Sequence, residues 1–367
     1  MTLSFNPSVS RYYAPESHNS REVAAEPADF NRIQERASEI GRELVTTGKK
    51  QLSIPERLWK NVVWALAAQQ AEMQNGSFDI EIFDREFFVA TEVSCDASGQ
   101  SFSGVASAQG RRAVMEDTHI MADLQIEGAE NGAQLFGVFD GHAGAEASAF
   151  VKDNVTFYLQ REVQAYRELL RPGVESRLTD EVIWNALKQC FIRLSEDYEG
   201  EDGTTAVIAF IVDRKVWIAN VGDSRAIFVK EDGETIQASE DAKPDIERYR
   251  RKIESHKGCV IKMLSGISRV NGFLAVARAV GDHEVTGVIA NPKITCYALE
   301  DFVGGYVVLA CDGLYDVATT NEVGYAVDQL KAQGFSPDQI AQRLVSAAIG
   351  NGSEDNVTTL VVKLPAP

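Results

Sequence analysis

The amino-acid sequence predicts an α+β fold in which antiparallel β-sheets are covered by helices. Short apolar runs typical of buried strands recur from about residue 101 onward, and turn residues such as Asp213-Arg214-Lys215 join several of them. Helical patterns follow the strand runs and stay separate from them along the chain. Strands and helices segregated in this way are typical of helices packed on an antiparallel sheet.

Two apolar stripes at helical spacing precede the strand-rich part of the chain. The first runs from Phe30 to Leu44, and the second begins at a capping box in which Glu56 follows Ser53 by three residues. We therefore predict an N-terminal helical extension over residues 1–95, of unassigned function, docked on a larger domain over residues 96–367. The apolar cluster at 80–89 is expected to join the core or a sheet edge of that domain.

The larger domain is predicted to contain both strands and helices. An antiparallel meander is expected at residues 206–212, 216–221, 225–229 and 235–238. Helices are expected at residues 145–169, 179–197, 245–255, 322–333 and 337–349. The helix at 245–255 falls within a highly charged stretch, residues 239–271, which we expect to be a surface excursion between core strands.

The composition of the chain indicates its cellular compartment and argues against some classes of binding partner. The 367 residues carry a formal net charge of -18, which argues against binding to nucleic acids or anionic membranes because both require basic faces. The five cysteines include no Cys-x-x-Cys pair, which fits a reducing compartment. Residues 1–20 show no signal-peptide pattern, and the apolar stretch at 62–68 is shorter than the roughly 20 residues that span a bilayer. We expect a cytoplasmic monomer.

Four apolar runs end on acidic turns, and these turns carry the strongest functional signal. Their carboxylates are Asp140, Asp223, Asp312 and Asp355. A carboxylate at the end of a buried strand is costly to desolvate unless it is paired or holds a cation. Because few basic residues lie nearby, the turns predict a shared cluster of oxygen ligands for hard cations such as Mg2+ or Mn2+.

Two further side chains are candidates for chemistry on a phosphate. Arg112 precedes Met115-Glu116-Asp117, and its planar guanidinium matches two phosphate oxygens, with a surface salt bridge as an equal alternative. His142 follows Asp140-Gly141, so an imidazole able to protonate a leaving group adjoins a predicted metal ligand. The glycine at 141 allows the main chain to come close to an ion.

Other catalytic classes find no support in the sequence. Cys311 adjoins Asp312, but Val317 stands where a cysteine phosphatase needs an arginine to close its phosphate loop, and nearby carboxylates would raise the pKa of the thiol. Cys311 is therefore predicted to be a small buried apolar residue. Walker, Gly-x-Gly-x-x-Gly and Gly-x-Ser-x-Gly motifs are absent from the sequence, which removes support for ATP, dinucleotide and serine-hydrolase chemistry.

Seven motifs, taken in order, resemble those of the metal-dependent type 2C protein serine/threonine phosphatases. They lie at residues 112–119, 138–144, 203–206, 220–224, 269–282, 310–316 and 352–358, and the resemblance extends over residues 101–364. The family's fold is a four-layer α-β-β-α sandwich of two antiparallel sheets flanked by helices. The resemblance implies that fold here, with the N-terminal helical extension added to it.

The resemblance also implies a set of metal ligands for two Mn2+ or Mg2+ ions. Asp140 would bridge the two ions, with the Gly141 carbonyl on the first and Asp312 and Asp355 on the second. Two other acidic positions, Glu116 and Asp117, match residues that hold metal-bound waters. A weaker third ion in some members uses the positions that correspond here to Asp223, Asp312 and Asp316.

The remaining matched residues bear on the reaction. Arg112 matches the family's phosphate-binding arginine, His142 its proposed general acid, and Asp282 an aspartate that we interpret as structural. The implied reaction is hydrolysis of phosphoserine or phosphothreonine in phosphorylated protein substrates, by in-line attack of a water shared between two cations. A catalytically inactive scaffold and a small-molecule phosphoesterase stay open as alternatives. The sequence differs from the residues common in the family at Ala143, Asp202 and Ala277. We expect these differences to be small or to lie on the surface.

Overall fold

The structure is a computed structural model that describes residues 89–95, 101–130, 132–170 and 178–364. The helices predicted from Phe30 to Leu44 and after Ser53 lie outside these residues. In chain order the longer strands are β1 (Val89–Cys95), β2 (Ser101–Ala108), β3 (Thr118–Leu124), β4 (Ala133–Phe139), β7 (Ala206–Val212), β8 (Lys215–Val221), β9 (Arg225–Val229), β14 (Lys293–Ala298), β15 (Tyr306–Ala310) and β16 (Val357–Lys363).

Shorter strands and the helices complete the described part of the chain. The short strands are β5 (Gly141–His142), β6 (Gly203–Thr204), β10 (Thr235–Gln237), β11 (Val260–Lys262), β12 (Ser268–Val270) and β13 (Val280–Gly281). The helices are α1 (Glu146–Leu170), α2 (Asp180–Asp197), α3 (Glu247–Ser255), α4 (Asp312–Tyr315), α5 (Thr320–Ala332) and α6 (Pro337–Gly350), with a 3-10 turn at Leu299–Phe302.

Two antiparallel sheets form the centre of the fold. One has six strands in the order β1-β2-β16-β15-β9-β10, and the other has five in the order β14-β8-β7-β4-β3. Their facing sides share an apolar core that includes Phe136, Val207, Phe228, Leu309 and Leu360. This core separates the two sheets and buries one face of each.

Helices cover the outer face of each sheet. On the five-stranded sheet, α1 and α2 bury residues such as Val155 and Leu187 against Phe210. On the six-stranded sheet, α5 and α6 bury residues such as Val327 and Leu344 in a separate cluster. Apolar residues recur on one side of each helix at the three- and four-residue steps expected of a core-facing stripe. The predicted four-layer α-β-β-α sandwich is confirmed.

The four strands expected as one meander are present but divide between the two sheets. β7 pairs with β8 in the five-stranded sheet, whereas β9 pairs with β10 in the six-stranded sheet. The chain crosses at Gly222, which has a φ of 102°. The buried amide of Asn220 holds the crossing by donating to the carbonyls of Gly222 and Ser224 at 3.3 and 2.9 Å. The single meander was wrong because a turn does not specify which sheet the next strand joins.

The charged stretch at 239–271 lies outside the sandwich, as expected. It contains α3, which packs through Tyr249 and Ile253 on a small core of its own, and the β11–β12 hairpin. Leu264, at the tip of this hairpin, is fully exposed. The four other predicted helices agree with α1, α2, α5 and α6 to within two residues at each end.

The edge of the six-stranded sheet lies close to the predicted domain boundary. β1 pairs with β2 along its length, so Val89, the last residue of the predicted apolar cluster, begins an edge strand. The sheet therefore starts before the division predicted at 95/96, and the division itself stays a prediction. Among the described residues, no helix combines the length and apolar character needed to cross a membrane.

Candidate active site

Strand register places two acidic residues side by side at one end of the five-stranded sheet. Thr118, the first residue of β3, pairs with Phe139, the last residue of β4. Asp117 immediately precedes the first of these and Asp140 immediately follows the second. Antiparallel neighbours start and end at the same edge, so their flanking residues meet there.

The six-stranded sheet brings three more carboxylates to the same end of the sandwich. The end of β15 at Ala310 pairs with Arg225 at the start of β9 and with β16 near its start. Asp312, Asp355 and Asp223 each lie two residues beyond the adjacent end of β15, β16 and β9. The four acidic turns singled out from sequence therefore converge, and they come from both sheets.

The carboxylates are close enough to disturb one another's ionisation. Burial raises the pKa of Asp140 well above its usual range, and the charges of Asp117, Asp312, Asp223 and Asp355 raise it further. Each negative charge is destabilised both by lost hydration and by its neighbours. Such a site is more stable when it binds a cation or a proton than when all its carboxylates are ionised and nothing is bound.

Burial and neighbouring charges act on Asp312 and Asp316 as well. Burial raises the pKa of Asp312, with Asp223, Asp316 and Asp355 adding to the rise and Lys243 opposing it. Burial also raises the pKa of Asp316, whose backbone N–H donates to the carbonyl of Asp312 at 2.7 Å in the last turn of α4. The carboxylates of Asp312, which begins α4, and Asp316, which follows its last residue, thus belong to the same cluster.

Asp117 provides a direct test of whether the site suits a metal ion. Both of its carboxylate oxygens are buried without a partner in hydrogen-bonding geometry among the described residues. Burial raises its pKa to about 6, with polar contacts to Thr358 and Cys311 opposing the rise and the charge of Asp355 adding to it. A buried carboxylate with no well-formed hydrogen bond is costly, and hard cations are bound by such oxygens. The residues present therefore fit a divalent cation.

Cys311 lies beside this cluster but does not offer a thiolate. Its Sγ falls in one group with oxygens of Asp117 and Asp140, all within 4.8 Å of one another. Burial, reinforced by those two carboxylates and Asp312, raises the pKa of the thiol well above its usual range. The Sγ accepts a hydrogen bond from the Thr358 N–H at 3.1 Å. Cys311 is a buried neutral thiol, and the predicted direction of its pKa shift is confirmed.

Arg112 stands at the rim of the cluster, where its guanidinium pairs with a predicted metal ligand. Its Nη2 lies 2.7 Å from Asp355 Oδ2, and the two side chains are 53% and 29% exposed. The salt bridge considered from sequence is thus present, and its partner belongs to the site. A second oxygen of Asp355 accepts the Asn356 N–H at 2.7 Å.

The buried side chain of Asn356 ties the segment that carries Arg112 to this end of the sandwich. Its Oδ1 accepts from the Glu116 N–H at 2.8 Å, and its Nδ2 donates to the carbonyls of Gln109 and Val114 at 2.8 and 3.0 Å. The Glu116 carbonyl in turn accepts from Ser148 Oγ at 2.5 Å. The main chain of Glu116 is therefore fixed on both sides.

Gly141 is packed too closely for any side chain. A Cβ at this position would lie 2.4 Å from the carbonyl oxygen of Glu116. The neighbouring Asp140 is fixed through its backbone, since its carbonyl accepts from the Thr205 N–H at 2.8 Å. Only glycine fits at 141, and the close approach holds the predicted carbonyl ligand next to the segment that carries Glu116 and Asp117.

A small three-stranded sheet, β13-β6-β5, holds His142 against Asp282. The imidazole Nε2 lies 2.7 Å from Asp282 Oδ2, which is buried. A Cβ on Gly203 would come within 2.2 Å of that carboxylate oxygen and 2.6 Å of the ring nitrogen, so glycine is required for the pair to form. Asp282, interpreted as structural from sequence, is a positioning residue for His142.

Asp202 also departs from its predicted role. It was expected to be a small or surface change, but it is buried, and its Oδ2 accepts from the backbone N–H groups of Glu146 and Ala147 at 3.0 and 3.1 Å. Its other oxygen accepts from the hydroxyl of Tyr198. A carboxylate at a helix N-terminus satisfies free N–H groups and suits the helix dipole. Asp202 therefore fixes the start of α1 beside His142.

Asp223 is buried and pairs with a lysine that the sequence did not single out. Its Oδ2 lies 2.5 Å from Lys243 Nζ. Burial alone lowers the pKa of Lys243, but Asp223, Asp312 and Asp316 outweigh it and raise the pKa. Lys243 and Asn356 were not singled out from sequence; the acidic turn of Asp355 was the available signal for Asn356, and Lys243 had none. Asp282 was identified, but its contact with His142 was not predicted.

The sequence of this chain is similar to those of known protein phosphatases. Residues 102–357 match the family model described as Protein phosphatase 2C. A probable protein phosphatase 2C 59 from Oryza sativa subsp. japonica is 35% identical over 269 residues, which cover 73% of this chain and 77% of that protein. Protein phosphatase 1L from Bos taurus is 33% identical over 266 residues, which cover 71% of each.

Solved structures support the fold. A C. elegans sex determining protein superposes with a TM-score of 0.58 at 22% identity, covering 91% of this chain and 80% of that one. A serine-threonine phosphatase 2C from Toxoplasma gondii gives a TM-score of 0.56 at 22% identity, covering 71% and 94%. Since the family model spans well over half of the sequence, the chain belongs to the protein phosphatase 2C family of metal-dependent protein serine/threonine phosphatases.

Proposed function

We propose that the carboxylate cluster holds two divalent cations, Mn2+ or Mg2+, and uses them to hydrolyse phosphoserine and phosphothreonine in protein substrates. The convergence of carboxylates from both sheets carries the proposal. It is supported by the buried Asp117 carboxylate, which makes no well-formed hydrogen bond with the described residues, and by the raised pKa values of Asp140 and Asp312. A donor set made of oxygens favours Mg2+ or Mn2+ over zinc.

Each residue of the cluster would take a defined part in holding the cations. Asp140, the Gly141 carbonyl, Asp312 and Asp355 would hold them directly. Glu116 and Asp117 would orient the water around the ions. When bound, the cations supply Lewis acidity and a water activated for attack on phosphorus at neutral pH.

Two side chains would act on the substrate itself. Arg112 stands half exposed at the rim, where its planar fork can donate to two phosphate oxygens and hold the ester in line. His142, held through Nε2 by Asp282, would give a proton to the departing serine or threonine oxygen. No covalent enzyme intermediate is required.

Metal dependence in the full chain tests the proposal. Chelator-treated protein is expected to lack turnover and to regain it with Mn2+ or Mg2+. Asp312→Asn is expected to keep the fold, because it removes one of several repelling charges, and to lose nearly all activity. Asp232→Asn, at an exposed turn, is the matched control and is expected to behave as wild type. Full activity in chelator, or in Asp312→Asn, would contradict the two-cation site.

The substrate class is tested separately. Turnover of a phosphothreonine peptide is compared with that of a small phosphorylated metabolite at equal concentration. The proposal expects a clear preference for the peptide. A preference for the metabolite would identify a small-molecule phosphoesterase, and no turnover of either by the Mn2+-loaded protein would identify an inactive scaffold.

A further inference from the structure

A lysine ammonium lies inside the part of the cluster that the family resemblance associates with a weaker third cation. Lys243 Nζ is 2.5 Å from Asp223 Oδ2, with the lysine side chain 36% exposed and the aspartate 3% exposed. The charges of Asp312 and Asp316 also act favourably on Lys243. One cation attached to the chain is therefore already paired with Asp223, within the electrostatic influence of the other two carboxylates.

The backbone fixes the lysine in this position. Ala242, the preceding residue, is buried, and its N–H donates to the Gly222 carbonyl at 2.8 Å while its own carbonyl accepts from Ala277 at 2.7 Å. Gly222 adjoins Asp223, so one main-chain hydrogen bond joins the turn that carries the carboxylate to the segment that carries the ammonium. The contact is built into the base of the excursion at 239–271.

An ammonium and a divalent cation cannot both occupy this position. Both are attracted to the same oxygens and repel each other at short range, and that repulsion is weakly screened beside buried carboxylates. Lys243 has a flexible four-carbon stem and is already partly exposed, so its head can move into water. Asp223, by contrast, is buried and stays in place.

We propose that Lys243 competes with a divalent cation for Asp223, Asp312 and Asp316, so that metal enters this part of the cluster only when the lysine leaves. The inference rests on the proposed function, because it takes for granted that the cluster binds divalent cations. It makes occupancy there depend on the segment that begins at Lys243, outside the sandwich.

Chemical labelling of the wild-type protein tests this competition without a variant. Metal-stripped full chain is titrated with Mn2+ from micromolar to millimolar concentration, acylated briefly with an N-hydroxysuccinimide ester, and analysed by mass spectrometry. Acylation of Lys243 is expected to rise with Mn2+ as the ammonium loses its partner. Lys215 is the internal control, since it forms a similar 2.5 Å pair with Asp180 at the opposite end of β8. Its acylation is expected to stay constant.

Calorimetric titration of metal-stripped variants with Mn2+ gives a second measurement. Lys243→Met is expected to bind a weak-site Mn2+ on the order of tenfold or more tightly than wild type, because a positive charge beside a divalent cation has been removed. Lys243→Arg keeps the charge and is expected to reproduce the wild-type isotherm. Lys215→Met, the matched control, is expected to do the same.

The outcomes separate this inference from the function on which it rests. Equal isotherms for wild type and Lys243→Met, with Lys243 acylation indifferent to Mn2+, would overturn the competition and leave the proposed site intact. A wild-type protein that binds no Mn2+ would overturn both. If Lys243→Met does not fold, the labelling of wild-type protein decides the question alone.

Discussion

The buried carboxylate of Asp282 accepts a hydrogen bond from Nε2 of His142 at 2.7 Å. With Asp282 as the acceptor, Nε2 carries the hydrogen and Nδ1 is the ring nitrogen left for proton exchange. Gly203 makes room for this contact, because any Cβ there would strike both partners. The pair therefore orients the imidazole so that Nδ1 is the nitrogen available for proton exchange.

Replacing His142 by alanine is expected to harm poor leaving groups most. A serine or threonine oxygen is strongly basic and needs a proton as it departs, whereas nitrophenolate leaves unaided. The loss on a phosphothreonine peptide is expected to be about 10²–10⁴-fold, the usual worth of a general acid, with little loss on p-nitrophenyl phosphate. Steady-state kinetics on both substrates measure the difference.

Two further variants test whether the effect of His142→Ala is specific to its role as a general acid. Asp282→Asn is expected to show a smaller loss with the same substrate selectivity, and asparagine tolerates the φ of 53° at this position. His256→Ala, on an exposed histidine at the end of α3, is expected to match wild type. Equal losses on both substrates in His142→Ala would instead assign His142 a structural role.

Asp117 is expected to contribute stability to the metal-free protein as pH falls from 7 towards 5. The pKa of Asp117 is about 6 in the folded protein and about 3.9 when unfolded, so protonation favours the folded state. That contribution is complete below the unfolded pKa and is lost as pH rises through 6. Asp117→Asn is expected to remove about 1 kcal/mol of the gain between pH 7 and pH 5.

Urea unfolding in chelator at the two pH values measures this change. Asp153→Asn, on an exposed carboxylate of α1, is the control and is expected to keep the wild-type pH dependence. An unchanged pH dependence in Asp117→Asn would show that its carboxyl ionises normally in the folded protein.

Replacing Arg112 by alanine is expected to reduce kcat/KM by about 10- to 100-fold, the value of charge-assisted hydrogen bonds to a phosphate. Thermal stability is expected to change little, within about 0.5 kcal/mol, because the ion pair with Asp355 is well exposed to water. Arg111→Ala is a close control, since Arg111 pairs with the adjacent Glu354 at 3.6 Å on the surface. Similar kinetic losses in both variants would indicate a general charge effect.

Asn356→Ala is expected to lower both stability and activity. It leaves the Glu116 N–H and two carbonyls without their buried partner, at a cost of about 1–3 kcal/mol in the free energy of unfolding. Because the loosened segment carries Arg112, kcat/KM is expected to fall even at temperatures where the variant is fully folded. Asn185→Ala, which removes one exposed bond within α2, should change neither quantity. Normal kinetics in folded Asn356→Ala would mean that Arg112 is positioned by other contacts.

Local sequence patterns predicted the parts of the structure that depend on neighbours along the chain. The helices followed from periodicity and capping, as at Ser336 before α6. The acidic turns were recognised because a charge after an apolar run conflicts with burial. Their convergence could be expected once the strands were taken as antiparallel, since register alone brings Asp117 beside Asp140.

The remaining features depend on contacts between distant residues. The crossing at Gly222 assigns β9 to the other sheet, and a turn in sequence does not show this. Asp202 resembles a surface residue until α1 places two N–H groups against it. The pairing of Lys243 with Asp223 likewise requires the excursion to fold back onto the crossing.

The two sheets meet at the site with like charges on both sides, Asp117 and Asp140 from one and Asp312 and Asp355 from the other. A cation bound between them would join the two sheets at this end of the sandwich, so the free energy of unfolding would rise with the free concentration of Mg2+ or Mn2+ by mass action. Scarcity of the ion would then do more than stop turnover. It would raise the unfolded fraction, which proteases degrade, so that the amount of enzyme would fall together with its activity.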